Sequence, residues 1–447
     1  MKYRFAWAWL EGAWHPEVTL SVQDGIICAI QVGAALDANL SGHENVQQIP
    51  GAVLPGMPNL HSHAFQWALA GRSEYRTQDR DSFWTWRDQM FRLLETLDAD
   101  LMYRIARDVY GRMVQAGYTS VGEFHYVHLD PELRLPSPST LYADVLIQAA
   151  LDVGLAICML PTLYQRGGFD GSLLQGGQRR FHLEQDSLLA ICDELQRRWK
   201  QTSRVQIGIA IHSLRAVAGE VIQQTVDAFR RWSPSGPIHV HAGEQVAEVD
   251  QCLAATGQRP VEWLLNHLEV DDKWCIIHAT HTNQNELSRL AQTSAVVGLC
   301  PMTEANLGDG LFDIKTYLRE GGRWGIGSDS QISVRPAEEL RMLELGQRLS
   351  QQQRVVLADA DRSCGEFLYL SAARGGAQAL GFPAGEIKVG HWADLVVIDL
   401  SNTSSGWSPF ELNQPAEFNS VRRQLDQFVF TDSVLSTRVM TAGTWRY

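Results

Sequence analysis

Lysine is scarce: only Lys2, Lys200, Lys273, Lys315 and Lys388 occur in 447 residues. Positive charge is scarce too, since 51 acidic residues face 38 basic ones and leave a formal net charge of −13. That balance argues against nucleic acid or an anionic membrane surface as the main partner. No CxxC pair occurs. The seven cysteines (Cys28, Cys158, Cys192, Cys252, Cys275, Cys300 and Cys364) are scattered, mostly in apolar runs, as expected of reduced core thiols in the cytoplasm. No apolar run is long enough to span a bilayer, because the longest, Val145 to Pro161, is broken by Gln148 and Asp152. The apolar start, Met1 to Leu10, meets Glu11 and Gly12 too soon for a signal peptide. What is present, 45% hydrophobic and 20% charged residues, is enough for a large globular core.

The first fifty residues read as short strands. Phe5, Trp7 and Trp9 alternate with smaller residues, Val18, Leu20 and Val22 follow, and Ile26 to Ile30 come after the turn Asp24-Gly25. Eight short apolar runs then alternate with helical patterns: Ala52–Pro55, Thr119–Phe124, Leu155–Pro161, Val205–Ile211, Pro237–Val240, Trp274–Ile277, Ala295–Cys300 and Trp324–Gly327. Leu101, Ile105, Val109 and Met113, stopped at Gly117, mark the clearest helix; Leu188, Leu195 and Trp199 mark another. A helix over Pro336–Leu349, with Pro in its first turn, is expected after the eighth run. Near-continuous apolar strands alternating with helices imply parallel strands covered on both faces. Eight of them predict an α/β fold, a (β/α)8 barrel, with an open doubly wound sheet as the alternative. Strands return in Gly385–Asp399, Phe428–Phe430 and Arg438–Met440. Both ends are therefore expected to build one small β-sandwich domain from residues 1–52 and 381–447 around a barrel of residues 53–380.

In a barrel, chemistry collects where strands end at the C-terminal face. The first run leads to His61 and His63, two residues apart, so that in extended backbone both imidazoles point to one side. The fifth leads to His239, His241 and Glu244, the sixth to His278 and His281, and the eighth to Asp329. Three imidazoles and a carboxylate with one open position suit a divalent metal, zinc above all. The expected ligands are His61, His63, His241 and Asp329. Zinc would bring the pKa of its water toward neutrality. Asp329 can also accept a proton from that water, Glu244 would carry protons to a leaving nitrogen, and His278 would polarise or orient the reacting group. A two-metal centre bridged by a carboxylated lysine is disfavoured, since no lysine ends a strand in the middle of the barrel.

His-x-His after the first strand, His-x-x-Glu after the fifth, His after the sixth and Asp after the eighth resemble the mononuclear deaminases of the amidohydrolase superfamily. Gly385–Asp399 is similar to the strand pair that closes that superfamily's terminal β domain. Within the superfamily the chain resembles the formimidoylglutamate deiminases of histidine degradation. The resemblance is carried by Pro58-Asn-Leu-His-Ser-His-Ala-Phe-Gln66, Ser82-Phe-Trp-Thr-Trp-Arg87, His212-Ser-Leu-Arg-Ala-Val217, Cys300-Pro-Met-Thr-Glu-Ala-Asn-Leu-Gly-Asp-Gly310 and Gly327-Ser-Asp-Ser-Gln331. It implies zinc-dependent conversion of N-formimidoyl-L-glutamate and water to N-formyl-L-glutamate and ammonia, and a homodimer. It also implies that Gln66, Arg87, Tyr126, His212 and Arg215 bind the glutamate moiety. Arg87 and Arg215 are natural forks for its two carboxylates.

Two other readings are open: a mononuclear deaminase of guanine or a related heterocycle, and a noncatalytic barrel serving as a binding or assembly module. His239 is expected deeper in the barrel than the ligands, and His281 in a structural role at the rim; His125 is unassigned. His15, His43, His128, His182, His267 and His391 are expected to be solvated or structural. Glu304 and Asn306 could line the pocket or fix their loop.

Overall fold

Alternation and turn chemistry build the first sheet. In the computed structural model, which describes residues 1–33, 46–72, 74, 83–398, 416–431 and 436–446, β1 (Lys2–Leu10) folds back on β2 (Ala13–Gln23) in the register Lys2↔Ser21 to Leu10↔Ala13. After the Asp24-Gly25 turn β3 (Ile26–Val32) pairs with β2, and β4 (Val46–Pro55) runs parallel to β1.

The barrel follows: β5 (Met57–Ser62), β6 (Tyr118–His125), β7 (Ala156–Leu163), β8 (Val205–Ile207) and β9 (Ile209–Ile211), then β10 (Ile238–Ala242), β11 (Trp274–His278), β12 (Val296–Leu299) and β13 (Arg323–Ile326). Neighbours pair in parallel in the order β13-β12-β11-β10-β9-β7-β6-β5, with β8 paired to β7, so β8 and β9 together supply the fourth stave. The ring closes through the bridge Ser62↔Asp329, with His63 N donating to Asp329 O (3.1 Å) and Asp329 N to His61 O (3.0 Å). A glycine permits this approach: a Cβ at Gly327 would lie 2.7 Å from the His61 Cβ. The expected near-closed (β/α)8-type barrel is what forms, and the open sheet is excluded.

From the far end, β14 (Leu395–Ile398), β15 (Ser436–Thr441) and β16 (Thr444–Trp445) extend the first sheet to β16-β15-β14-β4-β1-β2-β3. One face of this separate sheet has its own core of Phe5, Val18, Leu20, Val53, Leu395 and Val397, while Trp9, Trp14, Ala52 and Leu54 join the barrel's core.

Three sequence expectations change. Ala52–Pro55 is not the first barrel strand: it ends β4 and pairs with β14 in the terminal sheet. The barrel's first strand is β5, which accommodates Pro58: the ladder to β6 shifts register between Met57 and Pro58, so the missing N–H is absorbed at an irregularity. Phe428–Phe430 is not a strand but the end of the helix Ala416–Phe430, where Val421, Leu425, Phe428 and Val429 are buried at helical spacing. Within Gly385–Asp399 only Leu395–Ile398 is strand, Trp392 makes an isolated bridge to Ile26, and Asp399 lies outside the described residues, as do His43 and Ser82.

Helices Ala99–Ala116, Gln185–Trp199 and Pro336–Gln351 stand where the patterns placed them. The first is capped by Asp98, whose side chain accepts from Leu101 N, and ends on Gly117 at φ 108°. The helix Cys364–Leu380 packs against β5, β12 and β13, with Gly375 against the Trp324 backbone and Gly376 against Pro58, and so covers the N-terminal mouth of the barrel. Among the described residues no helix is long and apolar enough to cross a membrane.

Candidate active site

At the opposite mouth the predicted ligands converge. His61 Nε2 lies 3.0 Å from His241 Nε2 and 3.4 Å from Asp329 Oδ1, and His63 Nε2 lies 3.3 Å from the same oxygen. Ligand atoms about 2.1 Å from a common centre at tetrahedral angles stand about 3.4 Å apart, so this spacing suits one small cation. The tautomers agree. His63 Nδ1 donates to Phe124 O (2.8 Å) and His241 Nδ1 to His212 O (3.0 Å). A carbonyl can only accept, so each ring carries its proton on Nδ1 and presents the Nε2 lone pair to the centre. Burial pushes all three imidazole pKa values down, His61 to about 3, and keeps the rings neutral as ligands require. The residues present therefore fit a single divalent metal cofactor. His278 joins His61 and His241 in a second group of donor atoms lying within 4.8 Å of one another.

Glu244 follows β10 by one turn, and its Oε1 lies 3.9 Å from His278 Nε2. Burial raises its pKa to about 7, with the Asp329 and Glu248 charges adding to the rise and the His278 charge opposing it. His278 donates from Nδ1 to Glu304 Oε1 (3.2 Å), and its Nε2 faces Glu244 and Asp329, each at 3.9 Å. Burial would lower its pKa, but the Glu244 charge, the Glu304 hydrogen bond and the Asp329 charge outweigh that and raise it to about 10. His278 at φ 67° and Asp329 at φ 44° occupy the left-handed region, a cost of about 1–3 kcal/mol each that the closed barrel sustains.

The five residues expected to bind the glutamate moiety line the same cavity as His63, His241, Glu244, His278 and Asp329. Gln66 Nε2 donates to the Tyr126 hydroxyl (2.7 Å), and its buried Oε1 has no protein partner among the described residues. Tyr126 sits edge-on to His63, with ring centroids 4.7 Å apart. Arg87, on the helix Phe83–Leu94, stacks 5.3 Å from the Phe91 ring centroid, and the buried Arg215 bonds the Tyr164 hydroxyl. His212 lies against Tyr164 at 4.3 Å.

A scan against protein-family models matches residues 52–445 to the model described as "Amidohydrolase family". The chain belongs to the amidohydrolase family. It is 41% identical to the formimidoylglutamate deiminase of Pseudomonas aeruginosa over 98% of this chain and 92% of that protein, a close homology. A 5-methylthioadenosine/S-adenosylhomocysteine deaminase of Natronomonas pharaonis is 26% identical over 86% and 82% of the two chains. Among solved structures, an amidohydrolase from Brucella melitensis superposes with a TM-score of 0.90 at 35% identity, covering 99% of this chain and 94% of that one.

His239, His281 and His125 fall outside this cluster. His239 faces the barrel floor and donates from Nε2 to Ala379 O (2.9 Å), a structural tie to the floor helix. His281 donates to Asp309 O (2.8 Å) at the rim. His125 is buried edge-on to His128, whose Nε2 donates to Thr162 O. Of the two residues left between pocket and loop, Glu304 anchors His278, and Asn306 donates to Glu74 Oε1 (3.0 Å).

Sequence reasoning missed the polar network behind the ligands. Ser62, between the two histidines, points to the other side, donates to Glu123 (2.8 Å) and receives Gln331 Nε2 (2.9 Å). Glu123 also accepts from Ala64 N and the Tyr110 hydroxyl. Gln331 and Ser328 hold one another, and Asn59 bonds both the Ser328 backbone N and its hydroxyl. The one available signal was period two, which turns the residue between two inward histidines away from the metal. Tyr164 and Phe181 in the cavity wall carried no such signal.

Proposed function

We propose that the protein hydrolyses N-formimidoyl-L-glutamate to N-formyl-L-glutamate and ammonia, as a step in histidine degradation. The carrying observation is that a His/His/His/Asp donor set, the buried Glu244 at 3.9 Å from His278, and two arginines converge on one cavity. His61, His63, His241 and Asp329 would hold the metal. A divalent metal bound there, best zinc, polarises the reacting group and acidifies water enough for it to act as a nucleophile near neutral pH.

Glu244 accepts the first proton released from the attacking water and delivers it to the imino nitrogen; the second, taken up by Asp329 from the new hydroxyl as the formyl C=O forms, passes to the same nitrogen, which leaves as ammonia. His278, fixed by Glu304, donates from Nε2 to the oxygen that develops charge at the formimidoyl carbon. Arg87 and Arg215 take the two substrate carboxylates, Tyr126 and Gln66 the polar backbone between them, and His212 packs beside Arg215. This convergence turns binding energy into orientation. A flat heterocycle has no use for two guanidiniums, so guanine or a related base is the second reading.

A cytoplasmic site of action is supported by seven free thiols, six of them buried. The homodimer rests on family resemblance and is tested by analytical ultracentrifugation. Ammonia release is measured on N-formimidoyl-L-glutamate, guanine and adenosine alongside metal analysis. The expected result is turnover of the formimidoyl compound alone. Turnover of a purine without it would overturn the proposal, and stoichiometric metal with no ammonia from any of the three would favour the noncatalytic reading.

A further inference from the structure

Glu248 is a buried carboxylate to which no catalytic or binding step has been assigned. It is the third residue of the helix Val246–Thr256, where a glutamate commonly reaches back to the N-cap N–H. Here it reaches further. Its Oε1 accepts from Gly243 N (3.2 Å) and its Oε2 from Glu244 N (2.9 Å), so both oxygens grip the two residues that turn the chain out of β10. Gly243 lies at φ 68°, so the turn is backbone that needs an external hold to keep one conformation. On its other side Glu248 lines a small cavity with Arg215, Glu244 and Ser213. The Arg215 and Glu248 charges attract, and each favours the ionised form of the other against the burial of both.

We propose that Glu248 is a positioning residue, fixing the Glu244 carboxylate for proton transfer while orienting the Arg215 guanidinium toward a substrate carboxylate. Resting on the function proposed above, it explains how occupation of the Arg215 carboxylate subsite and placement of the proton shuttle are joined through one side chain. Glu248→Gln can still accept at one oxygen but loses the second backbone bond and the charge facing Arg215. Glu248→Asp keeps the charge but is one methylene too short to grip both N–H groups.

The test is steady-state kinetics of both variants on N-formimidoyl-L-glutamate, with metal content and Tm measured in parallel. Displacement of a proton-transfer group by about 1 Å costs about 100-fold in rate. Both variants should therefore lose about 100-fold in kcat at unchanged metal content, and KM should rise in Glu248→Gln more than in Glu248→Asp. A merely structural role would lower Tm and leave kcat and KM of the folded fraction as in wild type, which overturns the proposal. A crystal structure of Glu248→Gln reads the geometry without any substrate. A Glu244 carboxylate moved away from His278 supports the proposal, and one retained in place overturns it. Wild type inactive on the formimidoyl compound would count against the proposed function alone, since the crystal structure still decides the role of Glu248.

Discussion

Glu244 and Glu123 are two buried glutamates pushed to about the same pKa for the same first reason, burial, yet their surroundings give them different work. Glu244 faces the cavity and His278, so its proton can move to substrate. Glu244→Gln is expected to keep its metal and lose about 100- to 10,000-fold in kcat, the usual range for a general acid–base. Retained metal with near wild-type turnover would rule out the shuttle. Because Glu244 must be ionised to take the first proton, wild-type kcat/KM should climb as pH rises through about 7.

Glu123 is closed in by Ser62, Ala64 N and Tyr110, so its titration appears in stability instead. Burial lifts its pKa from 4.5 to about 7 against those three donors. The folded state then binds more protons between those values, so the group's favourable contribution is complete below about 4.5 and is lost as pH rises through about 7. Glu123→Gln removes this titration. Its Tm relative to wild type should therefore improve from pH 5 to about pH 7 and level off above it, and a constant difference from pH 5 to pH 8 would contradict the account. At the same scale, Arg215→Met removes a charge-assisted pair and is expected to raise KM for the dicarboxylate about 10- to 100-fold. A base deaminase would be indifferent to that change, so the kinetics also separate the two readings.

At the scale of elements, each ligand sits at a strand end because parallel strands deliver their C-termini to one rim. The floor helix matters as much to their register. Gly375 lies so close to β13 that a Cβ there would be 1.8 Å from Trp324 O, and Trp14 Nε1 donates to Glu366 (2.6 Å), tying the terminal sheet to the same helix. Gly375→Ala must push helix and strand apart, and overpacking of this kind costs about 1–3 kcal/mol. The expected outcome is a Tm lower by several degrees, or insoluble protein, while Gly111→Ala, inside the helix Ala99–Ala116 with its nearest neighbour atom 3.9 Å away, should leave Tm unchanged or raise it. The helix Ala416–Phe430 teaches the complementary lesson: Phe428–Phe430 is too short a run to reveal its period, and only the burial of Val421 and Leu425 in line with it shows a helix.

For the whole molecule, a metal held by the proposed ligands would join two strands, β5 and β10, and the loop after β13 at one point. Removing it with a chelator should abolish activity and lower Tm, since a ligand that binds only the folded state stabilises it by mass action. One equivalent of zinc per chain should restore both. Two equivalents at saturation would revive the two-metal layout that the lack of a mid-barrel lysine disfavours.

What the sequence determined by itself was whatever local periodicity and residue chemistry encode. Period two aimed His61 and His63 to one side, apolar runs of barrel-strand length alternated with capped helices, and His241, Glu244, His278 and Asp329 each followed such a run. Only tertiary structure decided which sheet each run enters. Ala52–Pro55 and Met57–Ser62 are separated by Gly56 alone, yet the first pairs with β14, near the C-terminal end of the chain, and the second with β6, the next strand along. It likewise decided the anchors of the site, Glu123, Gln331 and Glu248, because a hydrogen bond between residues distant in sequence leaves no trace in the spacing of either.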